Sequence, residues 1–391
     1  MGRRAAVAGP AAGAAAATVG GAWARPARGA GEPAPPSAGP PPARGATALV
    51  TGANSGIGFG VAKGLALRGF EVVPGCRSRE KAAETARRLK LEVSGARVRV
   101  PDSALELSSL SSVRAFAEEM QSMDTLEVLV NNAGVAWTPE LRTADGIELQ
   151  FGVNHLGPFL LTTLLLDNLR ENARGGGPAR VVNVASDAHL AGSISPAALV
   201  GEDPPKPYNR FGAYCDSKLC NVLFARELAR REALRGGGTA SPPDLVAFAV
   251  HPGIVDTNLI RFLFPPWVLE SRKDTPELSA RVARGLGLRS ADEGAAGALW
   301  LSASDQAPDL SGQYFVGPGE PRRPSAQAQN SDLARGLWAA SEVLVARALG
   351  EAPSAGALDT ARGVRGGVGG AELGEDLVPG LVRMLATNFA A

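Results

Sequence analysis

Between Ala46 and Leu349, short runs of β-branched or apolar residues alternate with longer stretches whose apolar positions recur at helical spacing. The runs at Thr47–Val50, Glu71–Val73, Arg97–Val100, Leu126–Val130, Arg180–Val184, Val246–Val250 and Gln313–Val316 predict strands. The stretches Gly58–Arg68, Arg79–Lys90, Leu110–Met120, Phe151–Leu169 and Ala213–Glu232 predict the helices between them. Strands alternating with helices point to βα units, hence to a single doubly wound α/β domain: a seven-stranded parallel sheet with helices on both faces. Pro74 has no N–H to donate, so the second strand is expected to end there. In such a fold ligands bind beyond the carboxyl ends of the strands, and chemistry should follow directly after the apolar runs.

Three parts of the chain lie outside this rhythm. Residues 1–45 are dominated by Ala, Gly and Pro, with Arg3, Arg4, Arg25, Arg28 and Arg44 against the single acid Glu32. Arg3–Arg4, an Ala-rich stretch and Ala22-Trp23-Ala24 follow the order of a cleaved signal, and the Arg- and Pro-rich remainder is transit-like. An organelle (plastid) or endomembrane address is one reading of this extension, and a disordered extension of a cytoplasmic protein is the other. Residues 350–391 form a second low-complexity segment, and Gly175–Gly177 and Gly236–Gly238 are expected surface loops. The organised domain is therefore expected to span residues 46–349. A formal charge of +1 over 391 residues gives no basis for nucleic-acid binding. The cysteines Cys76, Cys215 and Cys220 and the histidines His155, His189 and His251 are scattered without metal-ligand spacing, so no metal is expected.

The first strand runs directly into Thr51-Gly52-Ala53-Asn54-Ser55-Gly56-Ile57-Gly58 and then a helix. Glycines there permit a tight turn and a close backbone approach, while a helix N-terminus offers unpaired N–H groups to a pyrophosphate. This placement makes the expected domain Rossmann-type and the expected cofactor a dinucleotide. After the second strand, where an acid would bind a ribose 2′-hydroxyl, the chain reads Gly75-Cys76-Arg77-Ser78. The guanidinium of Arg77 suits a 2′-phosphate, which favours NADP(H). Asn132, Ala133 and Gly134 follow the fourth strand and place small residues and amides where the cofactor ribose would lie.

Tyr214 and Lys218 are four residues apart, on one face of a predicted helix. A phenol titrates at about 10, so a neighbouring ammonium and a cationic nicotinamide would bring it closer to working pH. Ser186 stands at the carboxyl end of the fifth strand, where its hydroxyl can hold a substrate oxygen. Asn154 is a polar residue in an apolar helix: either it organises water or it is a satisfied structural amide. Pro252, Gly253 and Val255 form a turn after the sixth strand, followed by Thr257, a candidate contact for the nicotinamide amide or a simple helix cap.

In this order and setting, Thr51–Gly58, Asn131–Gly134, Val153–Gly157, Ser186, Tyr214–Lys218 and Pro252–Thr257 resemble the short-chain dehydrogenase/reductase family. Gly75–Ser78, Ser108–Leu110, Phe151–Phe159 and Ala213–Cys215 are most similar to its retinol dehydrogenase and WW-domain oxidoreductase branch, with the likeness running from about Ala46 to Leu349. The resemblance implies Tyr214 as general acid/base, Lys218 on the nicotinamide ribose, Ser186 on the substrate oxygen and Asn154 in a water relay. It also places Glu106 and Leu107 at the adenine, although the family more often has Asp-Leu there. Pro158 and Ala185 depart from the branch, and Ser193 and Ser195 are fallbacks for Ser186. Phe262, Phe264 and Trp267 lie in an apolar stretch expected to line the pocket of a lipophilic carbonyl or alcohol, with packing or peripheral membrane contact as the alternative. A protochlorophyllide reductase-like plastid enzyme and an NADPH-sensing module without turnover are the rival functions. The oligomeric state is left open.

Overall fold

The structure is a computed structural model that describes residues 45–123, 125–173, 177–203, 207–236, 243–255 and 288–365. Its strands are β1 (Thr47–Thr51), β2 (Glu71–Gly75), β3 (Arg97–Val98), β4 (Leu126–Asn131), β5 (Ala179–Val184), β6 (Leu245–Val250), β7 (Tyr314–Phe315) and β8 (Pro321–Arg322). They form one sheet in the order β3-β2-β1-β4-β5-β6-β7-β8. The first seven pair in parallel, as expected, and β8 adds an antiparallel edge that the sequence pattern did not predict. Two residues, one of them proline, are too few to show a period.

The sheet separates two cores by the two-residue period of its strands. Leu49, Leu129, Val181, Ala247 and Tyr314 face one core. Ala48, Val50, Val128, Val130, Val182, Val184 and Phe248 face the other. Helices α3 (Leu110–Gln121), α4 (Leu149–Asn172) and α6 (Arg210–Arg235) cover the first face through Phe116, Leu165 and Leu223, with Trp338 of α8 (Ser331–Leu349) behind them. On the second face lie α1 (Gly56–Leu67), α2 (Arg79–Glu92) and α7 (Ala291–Ala303), contributing Leu65, Leu89 and Leu301. Burial of this extent is the dominant favourable term in the fold.

Two local outcomes differ from expectation. Strand β2 does not stop at Pro74 but continues to Gly75 in register with Val50 and Thr51. Residues 73 and 75 bond toward β1, so position 74 faces β3, which has already ended; no ladder donor is missed there. Second, α7, α8 and α9 (Ala357–Gly363) have no counterpart among the predicted helices. Their apolar periodicity is diluted by Ala and Gly, yet their ends were legible: Ser290 and Glu293 form a capping box, Asn330 caps α8, and Gly350 closes it in the left-handed region at φ +71°. Helix α9 packs Ala357 and Ala361 against Ala339, Ala340 and Val343.

Candidate active site

The strand order reverses between β1 and β4, the switch point beyond whose carboxyl ends folds of this kind bind ligands. Gly52 turns the chain out of β1 at φ +67°, and a Cβ there would stand 3.1 Å from Ala133. At Gly58 a Cβ would stand 2.3 Å from the Gly52 carbonyl oxygen and 2.4 Å from Asn132 Nδ2, so only glycine lets α1 begin this close to the turn. Asn54 and Ser55 are exposed, and Ser55, the N-cap of α1, makes no side-chain cap bond. The first N–H groups of the helix are thus left to an anion, which fits a dinucleotide pyrophosphate. Thr51 is placed beneath this site, not in it. Fully buried, its hydroxyl accepts the N–H groups of Asn132 and Ala133, both at 3.0 Å, and ties the two loops together.

Arg77 is exposed just past the end of β2, and no ion pair engages it among the described residues. Its neighbour Arg79 is paired with Asp102 at 2.9 Å. Glu106 turns its carboxylate onto Ser108, accepting from N–H at 3.1 Å and from the hydroxyl at 2.8 Å, and Leu107 is buried. Pro252, Gly253 and Val255 form the turn after β6, with Gly253 at φ +86°; Thr257, Phe262, Phe264 and Trp267 lie outside the described residues.

On the first turns of α6, Tyr214 and Lys218 are buried and share one face, with the ammonium 5.6 Å from the phenol ring centre. Ser186 follows β5, and its hydroxyl oxygen accepts the Ala188 N–H at 3.2 Å. Lys218 donates from Nζ to the Val184 carbonyl, 2.9 Å away, at the end of β5. Burial brings the ammonium down to about 8. Burial also pushes the phenol above its ordinary range, with Ser186 opposing it and Cys215 adding to it. Lys218 alone therefore does not produce the lowered phenol expected from its spacing. Ser193 gives its N–H to Asp216, and Ser195 caps a short helix, α5 (Pro196–Leu199); Ser186 is the serine that directly follows β5.

Asn154 sits in a single π-helical turn, Gly152–Leu156, within α4. Its Oδ1 accepts the Val135 N–H at 2.8 Å, and its Nδ2 donates to the Val135 carbonyl and to Ser217 Oγ, both at 2.9 Å. Ser217 in turn donates to the Tyr214 carbonyl at 2.8 Å. Both amide hydrogens are bound within the protein, to the Val135 carbonyl and to Ser217. Asn154 fastens the Gly134–Val135 loop to the helix that carries Tyr214.

Trp137 escaped sequence reasoning. Its ring stands edge-on to Tyr214 with centroids 5.7 Å apart and lies 6.0 Å from Phe211. Its φ of +55° is the single positive value among described residues other than glycine. That conformation costs about 1–2 kcal/mol, and buried Gln150 holds it by accepting the Trp137 N–H at 2.8 Å while donating to Tyr208 and to the Arg210 carbonyl. No local sequence signal marks such a residue. No cluster of metal-ligating side chains occurs among the described residues.

Residues 46–199 match the model of the short chain dehydrogenase family. Human retinol dehydrogenase 13 is 38% identical over 324 residues, covering 79% of this chain and 86% of that protein. Human retinol dehydrogenase 11 is 41% identical, covering 75% and 84%. Among solved structures, an uncharacterised protein from Mycobacterium paratuberculosis superposes with a TM-score of 0.57 at 33% identity, covering 77% of this chain and 93% of that one. The RhlG/NADP active-site complex of Pseudomonas aeruginosa superposes at 0.51 with 28% identity, covering 70% and 95%. These relatives from animals and bacteria lend no support to a plastid address.

Proposed function

This chain belongs to the short chain dehydrogenase family of nicotinamide-dependent oxidoreductases, and from that premise we propose that it interconverts a lipophilic alcohol and its carbonyl with NADP(H), using Tyr214 as general acid/base. The observation that carries this reading is the Lys218 ammonium beside the Tyr214 ring, bonded to the Val184 carbonyl at the end of β5 where Ser186 follows, in a fold whose α1 N-cap makes no side-chain bond.

When bound, the nicotinamide supplies or accepts the hydride. The chain's own residues handle the proton and the charge. In reduction, the buried phenol, protonated at neutral pH, donates its proton to the carbonyl oxygen as that oxygen gains charge; in oxidation the phenolate removes the alcohol proton. Ser186 hydrogen-bonds the same oxygen, and a donor fixed in advance avoids reorganisation in the transition state. Lys218, held by the Val184 carbonyl, places positive charge beside the phenol and has N–H groups left that would bind the ribose. Gly52, Asn54, Ser55, Gly56, Ile57 and Gly58 would hold the pyrophosphate, Glu106, Leu107, Asn132, Ala133 and Gly134 the adenine and ribose, and Pro252, Gly253, Val255 and Thr257 the nicotinamide.

Arg77 supports NADP(H) over NAD(H), because a guanidinium can pair a 2′-phosphate bidentately and no acid stands beside it in the Gly75–Ser78 turn. The edge-on Trp137 and neighbouring Phe211 support an apolar substrate body next to the phenol. The test is a panel of alcohols and carbonyls, from small polar compounds to retinol and long-chain aldehydes, followed by NADPH absorbance. Tyr214→Phe should lower turnover by about 1,000-fold or more while NADPH binding stays intact. Turnover surviving that substitution would remove Tyr214 from the mechanism, and preference for small polar carbonyls would refute the apolar pocket. NADPH binding with no turnover across the panel would favour a sensor.

A further inference from the structure

Immediately after Ser186 the chain carries Asp187, and around it gather groups from β7, β8 and the residue that follows β6, for which the proposed reaction has no use. Tyr314 of β7, 1% exposed, donates its hydroxyl to Asp187 Oδ1 at 2.6 Å. Arg322 of β8 donates to the same oxygen, and His251, just past β6, stands with Nε2 3.5 Å from Oδ2. Burial pushes the Asp187 carboxyl up, and His251, Arg322 and Tyr314 together bring it below the ordinary range. A second tether lies one turn further on. His189 Nδ1 is 2.8 Å from the Ser186 carbonyl oxygen, and its Nε2 accepts the Ser325 N–H at 3.2 Å. A ring that accepts at Nε2 must donate from Nδ1, so His189 is the neutral Nδ1–H tautomer.

The β7–β8 hairpin and the residues after it therefore grip the turn that begins at Ser186 in two places. Between them Ser186 is held extended, at φ −163° and ψ 155°, with its hydroxyl oxygen accepting the Ala188 N–H at 3.2 Å. Because β8 runs antiparallel to β7 and starts at the carboxyl end of the sheet, Arg322 lies opposite Tyr314 and within reach of Asp187.

We propose that Asp187 is a positioning residue, through which Tyr314 and Arg322 fix the turn that carries the Ser186 hydroxyl. The proposal rests on the reading of Ser186 and Tyr214 given above, and its test separates the two. The proposed function gives Ser186 a hydrogen bond that favours the phenolate, so on that reading a loosened Ser186 should raise the pH at which Tyr214 loses its proton. The titratable groups facing that phenol, Lys218 and Cys215, are unchanged by the substitutions below.

The experiment measures kcat and kcat/KM for retinol oxidation with NADP⁺ against pH in wild type, Asp187→Asn, Tyr314→Phe, Ser186→Ala and the Ser186→Ala/Asp187→Asn double variant, alongside NADPH binding. Asp187→Asn should lower kcat by about tenfold, leave NADPH affinity unchanged, and move the rising limb upward by about half a pH unit or more. Tyr314→Phe keeps the buried ring, removes the hydroxyl and should move the limb in the same direction, which keeps the test alive if Asp187→Asn does not fold. In the Ser186→Ala background Asp187→Asn should add nothing, because its effect runs through that hydroxyl. An unmoved limb, or an equal additional loss in the Ser186→Ala background, overturns the proposal. Retention of turnover by Tyr214→Phe would instead overturn the reading of the site itself.

Discussion

Replacing Lys218 by Met should make the protein more stable and nearly inactive. The ammonium titrates at 10.5 ordinarily and at about 8 in the fold, because burial strips its water. At about 1.4 kcal/mol per pH unit, holding the charge inside the folded protein costs about 3 kcal/mol at neutral pH. The substitution also removes the 2.9 Å hydrogen bond to the Val184 carbonyl, worth about 1 kcal/mol. Asn221 Nδ2 remains on that oxygen at 3.3 Å, so the carbonyl is not orphaned. A straight apolar chain fills the same channel. The net expectation at pH 7 is a gain of about 2 kcal/mol, or a rise in Tm of roughly 4 °C for a domain of this size. Between about 8 and 10.5 the unfolded chain holds the proton that the folded one has released, so wild-type stability rises with pH through that window. The variant's advantage should accordingly shrink above pH 8 and be absent near 10.5. Thermal melts of both proteins without cofactor, from pH 6.5 to 10.5, measure this directly. A variant less stable than wild type at pH 7, or an advantage that does not change with pH, would refute the argument that Lys218 is a buried cation kept for function at the expense of stability.

Two other substitutions probe the candidate cofactor site. Arg77→Asp should shift preference from NADPH toward NADH by about 10- to 100-fold in kcat/KM, the value of a charge-assisted phosphate contact; an unchanged ratio would remove Arg77 from the assignment. Gly58→Ala forces a methyl within 2.3 Å of the Gly52 carbonyl oxygen, and should weaken NADPH binding by about tenfold or more and cost about 1–3 kcal/mol in urea unfolding. Wild-type values in both measurements would mean that the turn can widen freely.

Much of the site was legible because this fold puts chemistry directly after strands. Gly52–Gly58 follows β1, Ser186 follows β5, and Tyr214 and Lys218 are one helical turn apart, so strand period and helix spacing sufficed to bring them to one end of the sheet. Where a residue's role depends on which partner reaches it across the fold, local pattern was silent. Thr51 opens the glycine-rich turn in sequence and is a buried tie between loops in the fold; Asn154 read equally as water organiser or structural amide, and its bonds to Val135 and Ser217 form only across the fold. Trp137 earns its place beside Tyr214 only through a strained backbone angle that Gln150 stabilises.

The chain's own order of residues determined the alternation of strands and helices, the two-faced burial of the sheet and the four-residue step from phenol to amine, since each is set by neighbours a few positions apart. The tertiary structure alone decided the grip of Tyr314 and Arg322 on Asp187, across 127 and 135 residues, and the removal of water from Lys218. Hydrogen bonds and desolvation act over a few ångströms of space, and separation along the chain carries no record of them.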